Sequence, residues 1–231
     1  MTSACVRYIV RALAAGAILL ASSVAYAHGI AGEDQAFLLR ATGPHIGPYV
    51  YLGAKHMVTG YDHLLFLAGV IFFLYRLKDV ALYVTLFAIG HSTTLLLGVL
   101  AGWHVDAFLV DAVIGLSVVY KAFENLGGFR RLGFEPSTKA AVLFFGFFHG
   151  LGLATKLQDL ALSKEGLVTN MVSFNVGVEI GQLLALGLML IAFNLWRRSG
   201  GFFRHAFAGN VTLMAAGFVL AGFQLTGFFS S

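Results

Sequence analysis

The chain has 231 residues, 58% of them hydrophobic and only 11% charged, and its mean hydropathy is +0.83. A water-facing domain carries about 25% charged residues, so this composition excludes a soluble globule, and it is far too apolar for a disordered chain. The net charge of +4 comes without any run of Lys and Arg longer than two and without a basic stripe interleaved with aromatics, which excludes nucleic acid as the partner.

In chain order, residues 1–27 combine Arg7 and Arg11, an apolar stretch Ala12–Leu20 and the triplet Ala25-Tyr26-Ala27. That is the pattern of a secretory signal peptide, with an uncleaved first helix as the alternative, and the apolar stretch is shorter than the ~20 residues a spanning helix needs. Cleavage after Ala27 leaves a single domain, 28–231. It also removes Cys5, the only cysteine, so metal chemistry in the mature chain falls to His, Asp, Glu and Met. His28 then becomes the first residue; its amino group and ring can chelate a divalent ion, or it is simply the residue that follows the cleavage site. The fold class expected is all-α, a polytopic membrane bundle of six helices near residues 50–76, 79–102, 105–126, 139–158, 167–196 and 204–228. The first is long because 48–59 reads as an amphipathic lead-in, and Gly60 is placed to bend or break it before Leu64–Leu74.

Loop charges give this bundle an orientation. With the mature N-terminus outside, Arg76, Lys78, Lys121, Arg130, Arg131, Lys139, Arg197, Arg198 and Arg204 lie inside, against Arg40, Lys55, Lys156 and Lys164 outside. The excess of inner positive charge agrees with an export signal and puts both termini in the periplasm of a bacterial inner membrane. Three spans followed by three is a count that inverted repeats would produce, with a site between them.

Ionisable groups at membrane depth cost several kcal/mol unless paired or solvated, so each marks a candidate site. His56, Asp62 and His63 form the first group, with the two histidines seven residues apart; capping of a helix start by Asp62 is the plainer alternative. His91 stands mid-way along the second span, with Thr94 one turn on as a residue to orient its ring. His149 stands mid-way along the fourth, between Gly146 and Gly150, a small-residue pair suited to close helix packing. On the fifth, Asn175, Glu179 and Gln182 fall at i, i+4 and i+7, one polar stripe whose carboxylate calls for a cation or a proton. Glu124 and Asn125 end the third span, where Glu124 is either a ligand or an ion-pair partner of Lys121 at i, i+3; Asp111 is a weaker candidate. The expected depth order runs from His56, Asp62 and His63 at the outer face, through His91, His149 and Glu179 at the middle, to Glu124 and Asn125 inside. Such an order suggests a path rather than one gathered site. Imidazoles with carboxylates and no thiolate suit Ni²⁺, Co²⁺ or Zn²⁺, and argue against Cu⁺.

These residues resemble the HupE/UreJ family of membrane proteins, encoded beside hydrogenase and urease genes in some bacteria and regarded as nickel or cobalt permeases. Its motif of a histidine, a glycine and an Asp-His pair is matched by His56, Gly60, Asp62 and His63. The further blocks Gly90-His91-Ser92, Ala122–Asn125, Phe148-His149-Gly150 and Asn175–Gln182 are similar as well. Met57 departs from the proline frequent at that place. The resemblance implies a non-enzymatic permease for Ni²⁺ or Co²⁺ with no prosthetic group, linked to hydrogenase or urease maturation. Its partners are the divalent ion and the bilayer, and a homo-oligomer stays open. With no G-x-x-x-x-G-K-[ST] loop, the chain itself cannot hydrolyse ATP by that route. Two other classes use the same residues: an intramembrane zinc-dependent hydrolase acting on a lipid, and a metal-binding accessory protein without flux.

Overall fold

The computed structural model describes residues 33–160, 162–198 and 200–230; the expected signal peptide, Cys5 and His28 lie outside the described residues. Every regular element among the described residues is a helix: α1 (Glu33–Arg40), α2 (Ile46–Thr59), α3 (Tyr61–Ile71), α4 (Leu77–Ala101), α5 (Ala107–Asn125), α6 (Gly128–Arg131), α7 (Thr138–Asp159), α8 (Leu167–Arg198) and α9 (Phe202–Ser230). Four of them, α4, α7, α8 and α9, are long and apolar enough to cross a membrane. The nineteen-residue α5 carries Asp111, Lys121 and Glu124. The first expected span is two helices. Gly60 leaves the helical backbone at φ −72°, ψ 98°, while its N–H still closes on the His56 carbonyl at 2.8 Å and its own carbonyl accepts from Leu64 at 3.1 Å. It therefore ends one helix and starts the next.

The starts of α5 and α7 follow from their caps. Asp106 accepts from the Leu109 amide at 3.0 Å and Ser137 from the Ala140 amide at 3.4 Å, each satisfying a donor the first turn leaves open. Gly102 ends α4 in the left-handed region at φ 70°, which a glycine adopts without penalty. The broken end of α3 is held from outside: the Arg197 guanidinium donates to the Ile71 and Phe72 carbonyls at 3.0 and 2.8 Å. The outer surface is apolar, with Leu183, Leu184, Leu188, Ile191 and Leu195 of α8 all exposed, whereas Asp62, His63, His91 and His149 are buried. This inversion of the soluble pattern, with the apolar helices, fits a multi-pass membrane protein.

Three intimate helix pairs build the bundle, α2 with α8, α4 with α7 and α5 with α9, and glycines set each one. A methyl group at Gly53 would strike the Phe174 carbonyl, one at Gly177 the Val50 carbonyl, and one at Gly181 would lie 2.6 Å from the Ala54 carbonyl oxygen. In the second pair a methyl at Gly90 would lie 2.5 Å from the Leu143 oxygen and one at Gly146 2.6 Å from the Phe87 oxygen. Contacts in these two pairs advance together along both helices, so the helices run parallel. In the third pair Gly115 meets Ala221 while Gly217 meets Val119, and the helices run antiparallel.

These contacts are duplicated. Exchanging α2 with α7, α4 with α8 and α5 with α9 turns the Gly53–Phe174 contact into Gly146–Phe87, Gly177–Val50 into Gly90–Leu143, and Gly115–Ala221 into Gly217–Val119. Phe174 against His56 becomes Phe87 against His149. Phe108 against Gly227 becomes Asn210 hydrogen-bonded to Asn125 at 2.9 Å. Ser92 and Glu179, which exchange with one another, are joined by a 3.1 Å hydrogen bond. The two halves are thus related by an approximate two-fold rotation that passes between Ser92 and Glu179 and between Gly115 and Gly217.

Candidate metal centre

The break at Gly60 swings α3 so that its first turn enters the bundle between α2, α4 and α7. His63 becomes the hub of an imidazole cluster, its ring centroid 4.7 Å from that of His149, 5.3 Å from His56 and 5.5 Å from His91. Phe66, Phe87 and Phe174 wall the cluster with ring contacts to these histidines. A β-carbon at Gly60 would sit 3.1 Å from the His63 Nδ1, so a glycine there also keeps the backbone close behind the ring.

Hydrogen bonds fix the tautomers. His63 Nδ1 donates to Asp62 Oδ1 at 2.9 Å, which turns Nε2, buried and without a hydrogen-bond partner, into the lone-pair nitrogen. A carboxylate behind a metal-binding imidazole does just this in many metal sites. The Ser117 hydroxyl gives its hydrogen to the Ile114 carbonyl at 2.6 Å and so accepts from His149 Nε2 at 3.2 Å, leaving Nδ1 as the lone-pair nitrogen of His149. Both ring nitrogens of His91 and Nε2 of His56 are buried and make no hydrogen bond. Buried imidazole nitrogens in this state are expensive unless something else binds them.

One donor atom from each of Asp62, His63 and His149 lies within 4.8 Å of the others. Donors on a tetrahedral ion with bonds of about 2.1 Å stand about 3.4 Å apart, so the three need to draw in by at most about 1.4 Å. The cavity they share with His56, Asp111 and Lys156 measures about 10 Å³, room for one ion or one water molecule and no more. Across it the Lys156 ammonium grips both oxygens of Asp111 at 2.9 and 2.7 Å.

The histidines expected at two depths therefore meet in one cluster, because Gly60 breaks the helix that a straight reading continues. The other expected residues lie elsewhere or face other partners. Glu179 accepts from Ser92, Gln182 donates to the Val84 carbonyl at 3.2 Å, and Asn175 has a buried oxygen with no hydrogen bond. Thr94 does not orient the His91 ring; its hydroxyl donates to the Phe147 carbonyl at 2.6 Å and ties α4 to α7. Glu124 takes the Lys121 ammonium at 2.6 Å and the Thr138 hydroxyl, while Asn125 donates to the Gly69 carbonyl at 2.8 Å as well as to Asn210. Ser117 and Lys156 are the residues sequence reasoning missed. Ser117 carried a weak signal as a lone hydroxyl in an apolar span, and Lys156 read as a topology marker.

The family model described as HupE / UreJ protein matches residues 32–231, and the chain belongs to that family. No curated protein and no solved structure matches it.

Proposed function

We propose that this member of the HupE/UreJ family is a carrier that moves a divalent transition-metal ion, Ni²⁺ or Co²⁺, inward across the bacterial inner membrane. The family supports a membrane nickel or cobalt accessory or permease-like role; the observation that carries the finer reading is the buried Asp62–His63–His149 triad with the adjoining unbonded nitrogens of His56 and His91. Neutral imidazoles and a carboxylate are the donors that these borderline ions prefer, and Zn²⁺ is the natural competitor. His63 and His149 supply nitrogens, Asp62 supplies charge and holds the His63 tautomer, and Ser117 holds that of His149.

Six crossings, α2 with α3 counting as one, agree with the helix senses. If every crossing reverses direction, the second and fourth run parallel, as do the first and fifth, and the third and sixth run antiparallel; α4/α7, α2/α8 and α5/α9 have these senses. With the loop charges, this count supports a reading in which both termini lie outside and residues 1–27 are removed. Membrane potential supplies about 2.3 kcal/mol per charge per 100 mV, hence roughly 4.6 for a divalent ion moving inward. At about 1.4 kcal/mol per decade, that supports about three decades of accumulation without ATP.

The test is uptake of Ni²⁺, Co²⁺ and Zn²⁺ into sealed proteoliposomes holding a metal-sensing dye, with and without an inside-negative potential. Lipid hydrolysis also calls for gathered ligands, and the same proteoliposomes, assayed for release of fatty acid from their lipid, test it. Saturable, potential-driven uptake that disappears in Asp62→Asn and His63→Ala supports the carrier; binding without flux moves the reading to an accessory protein.

A further inference from the structure

The metal cavity contains a cation of the protein's own. Lys156 lies one turn from the end of α7 and seven residues after His149; His63 lies seven residues after His56. The exchange that relates the two halves pairs His56 with His149, so by sequence spacing Lys156 takes on unbroken α7 the place that His63 takes beyond the break at Gly60. Where one half puts an imidazole for the metal, the other puts an ammonium, and both side chains line the same cavity.

The charges in that cavity decide what the ammonium can do. Asp62 and Asp111 contribute two negative charges and Lys156 one positive, so the site without metal carries a single net negative charge. A divalent ion added beside Lys156 turns this into a net positive charge in a dry environment, where like charges repel strongly. With the ammonium gone, the ion and the two carboxylates balance. Only one of the pair is built to leave. The Lys156 side chain is 21% exposed and Asp111 only 5%. Its flexible four-carbon stem, close to the helix end, lets the head reach the interface while the stem stays in apolar surroundings.

We propose that Lys156 is a tethered counter-cation: seated on Asp111 it holds the metal cavity before the ion binds, and a divalent ion expels it and takes over Asp111. This rests on the carrier reading above and adds its selectivity. A monovalent ion offers no more charge than the ammonium already in place, so the site admits divalent ions and rejects Na⁺ and K⁺. Asp111 becomes a second carboxylate for the bound ion, and return of Lys156 helps the ion to leave.

The purified chain tests this with Co²⁺ as the probe. Amine labelling by a water-soluble acylating reagent, mapped by mass spectrometry, is expected to rise several-fold at Lys156 when Co²⁺ is added, with Lys55 and Lys164 unchanged as controls. By Co²⁺ absorption titration, Lys156→Met is expected to bind at least tenfold more tightly than the unsubstituted chain, and to release the ion more slowly from proteoliposomes. Asp111→Asn/Lys156→Met, which keeps the pair neutral and foldable, is expected to lose that gain. Labelling of Lys156 that does not rise with Co²⁺ overturns the inference, as does a folded Lys156→Met chain with unchanged or weaker affinity, or a double variant as tight as the single one. Failure of the unsubstituted chain to bind Co²⁺ at all instead counts against the carrier reading.

Discussion

Replacing Gly146 by alanine asks whether helix spacing sets the metal site. A methyl there would stand 2.6 Å from the Phe87 carbonyl oxygen, whereas ordinary contact begins at 3.4 Å, so α7 and α4 must part by the difference, about 0.8 Å. Backbone faces backbone at this point, and no flexible side chain can give way. Overpacking of this kind costs about 1–3 kcal/mol of stability. One turn further along α7 sits His149, so the same separation displaces a candidate ligand. Ligand displacement on this scale is expected to weaken Co²⁺ binding by about 10- to 100-fold, the range found when the groups that orient ligands are lost. Gly187→Ala is the matched control, since a methyl there meets nothing within 4 Å. Co²⁺ absorption titrations and thermal unfolding of both variants in detergent measure the two effects. A Gly146→Ala protein that unfolds earlier yet binds Co²⁺ like the parent would refute the link between spacing and site, and so would an equal loss in Gly187→Ala.

Other consequences follow from particular contacts. Asp62→Asn keeps the shape but loses the charge behind His63, and a drop of about 10- to 100-fold in Co²⁺ affinity is expected by calorimetry. Lys121→Met strands the Glu124 carboxylate, whose side chain is 17% exposed against 9% for the lysine; thermal unfolding should show a clear loss, short of the 3–5 kcal/mol of a fully buried pair, and Lys121→Met/Glu124→Gln should recover most of it. Retained Co²⁺ binding and uptake in that double variant is expected if Glu124 is structural, and their loss would return it to the ion's path. Protons compete with metal for imidazole nitrogens and carboxylates, so Co²⁺ affinity should fall as the medium is acidified; affinity independent of pH would mean that the imidazoles do not bind the ion.

Much of this was legible in the chain because the signals are local. Apolar length marks α4, α7, α8 and α9 within a few residues. Gly60 was legible as a break, but not what the break achieves: one changed ψ angle turns His63 from a residue two helical turns from His56 into the hub of four imidazoles. Partner choice was likewise hidden. Glu179 faces Ser92, and Lys156 finds Asp111 forty-five positions away; spacing along one helix says nothing about the polar atoms a second helix brings. The duplication was hidden for the same reason. Few residues match between the halves, Gly53 and His56 with Gly146 and His149 and Phe87 and Gly90 with Phe174 and Gly177 among them, and only the contacts show that these are the positions where helices touch.

The most direct test of the account is potential-driven Ni²⁺ and Co²⁺ uptake into proteoliposomes by the unsubstituted chain beside His63→Ala. The account predicts saturable uptake that rises with an inside-negative potential and vanishes when the hub imidazole is removed from a protein that remains folded. Uptake that persists in folded His63→Ala, or no uptake by the unsubstituted chain under any potential, would contradict it.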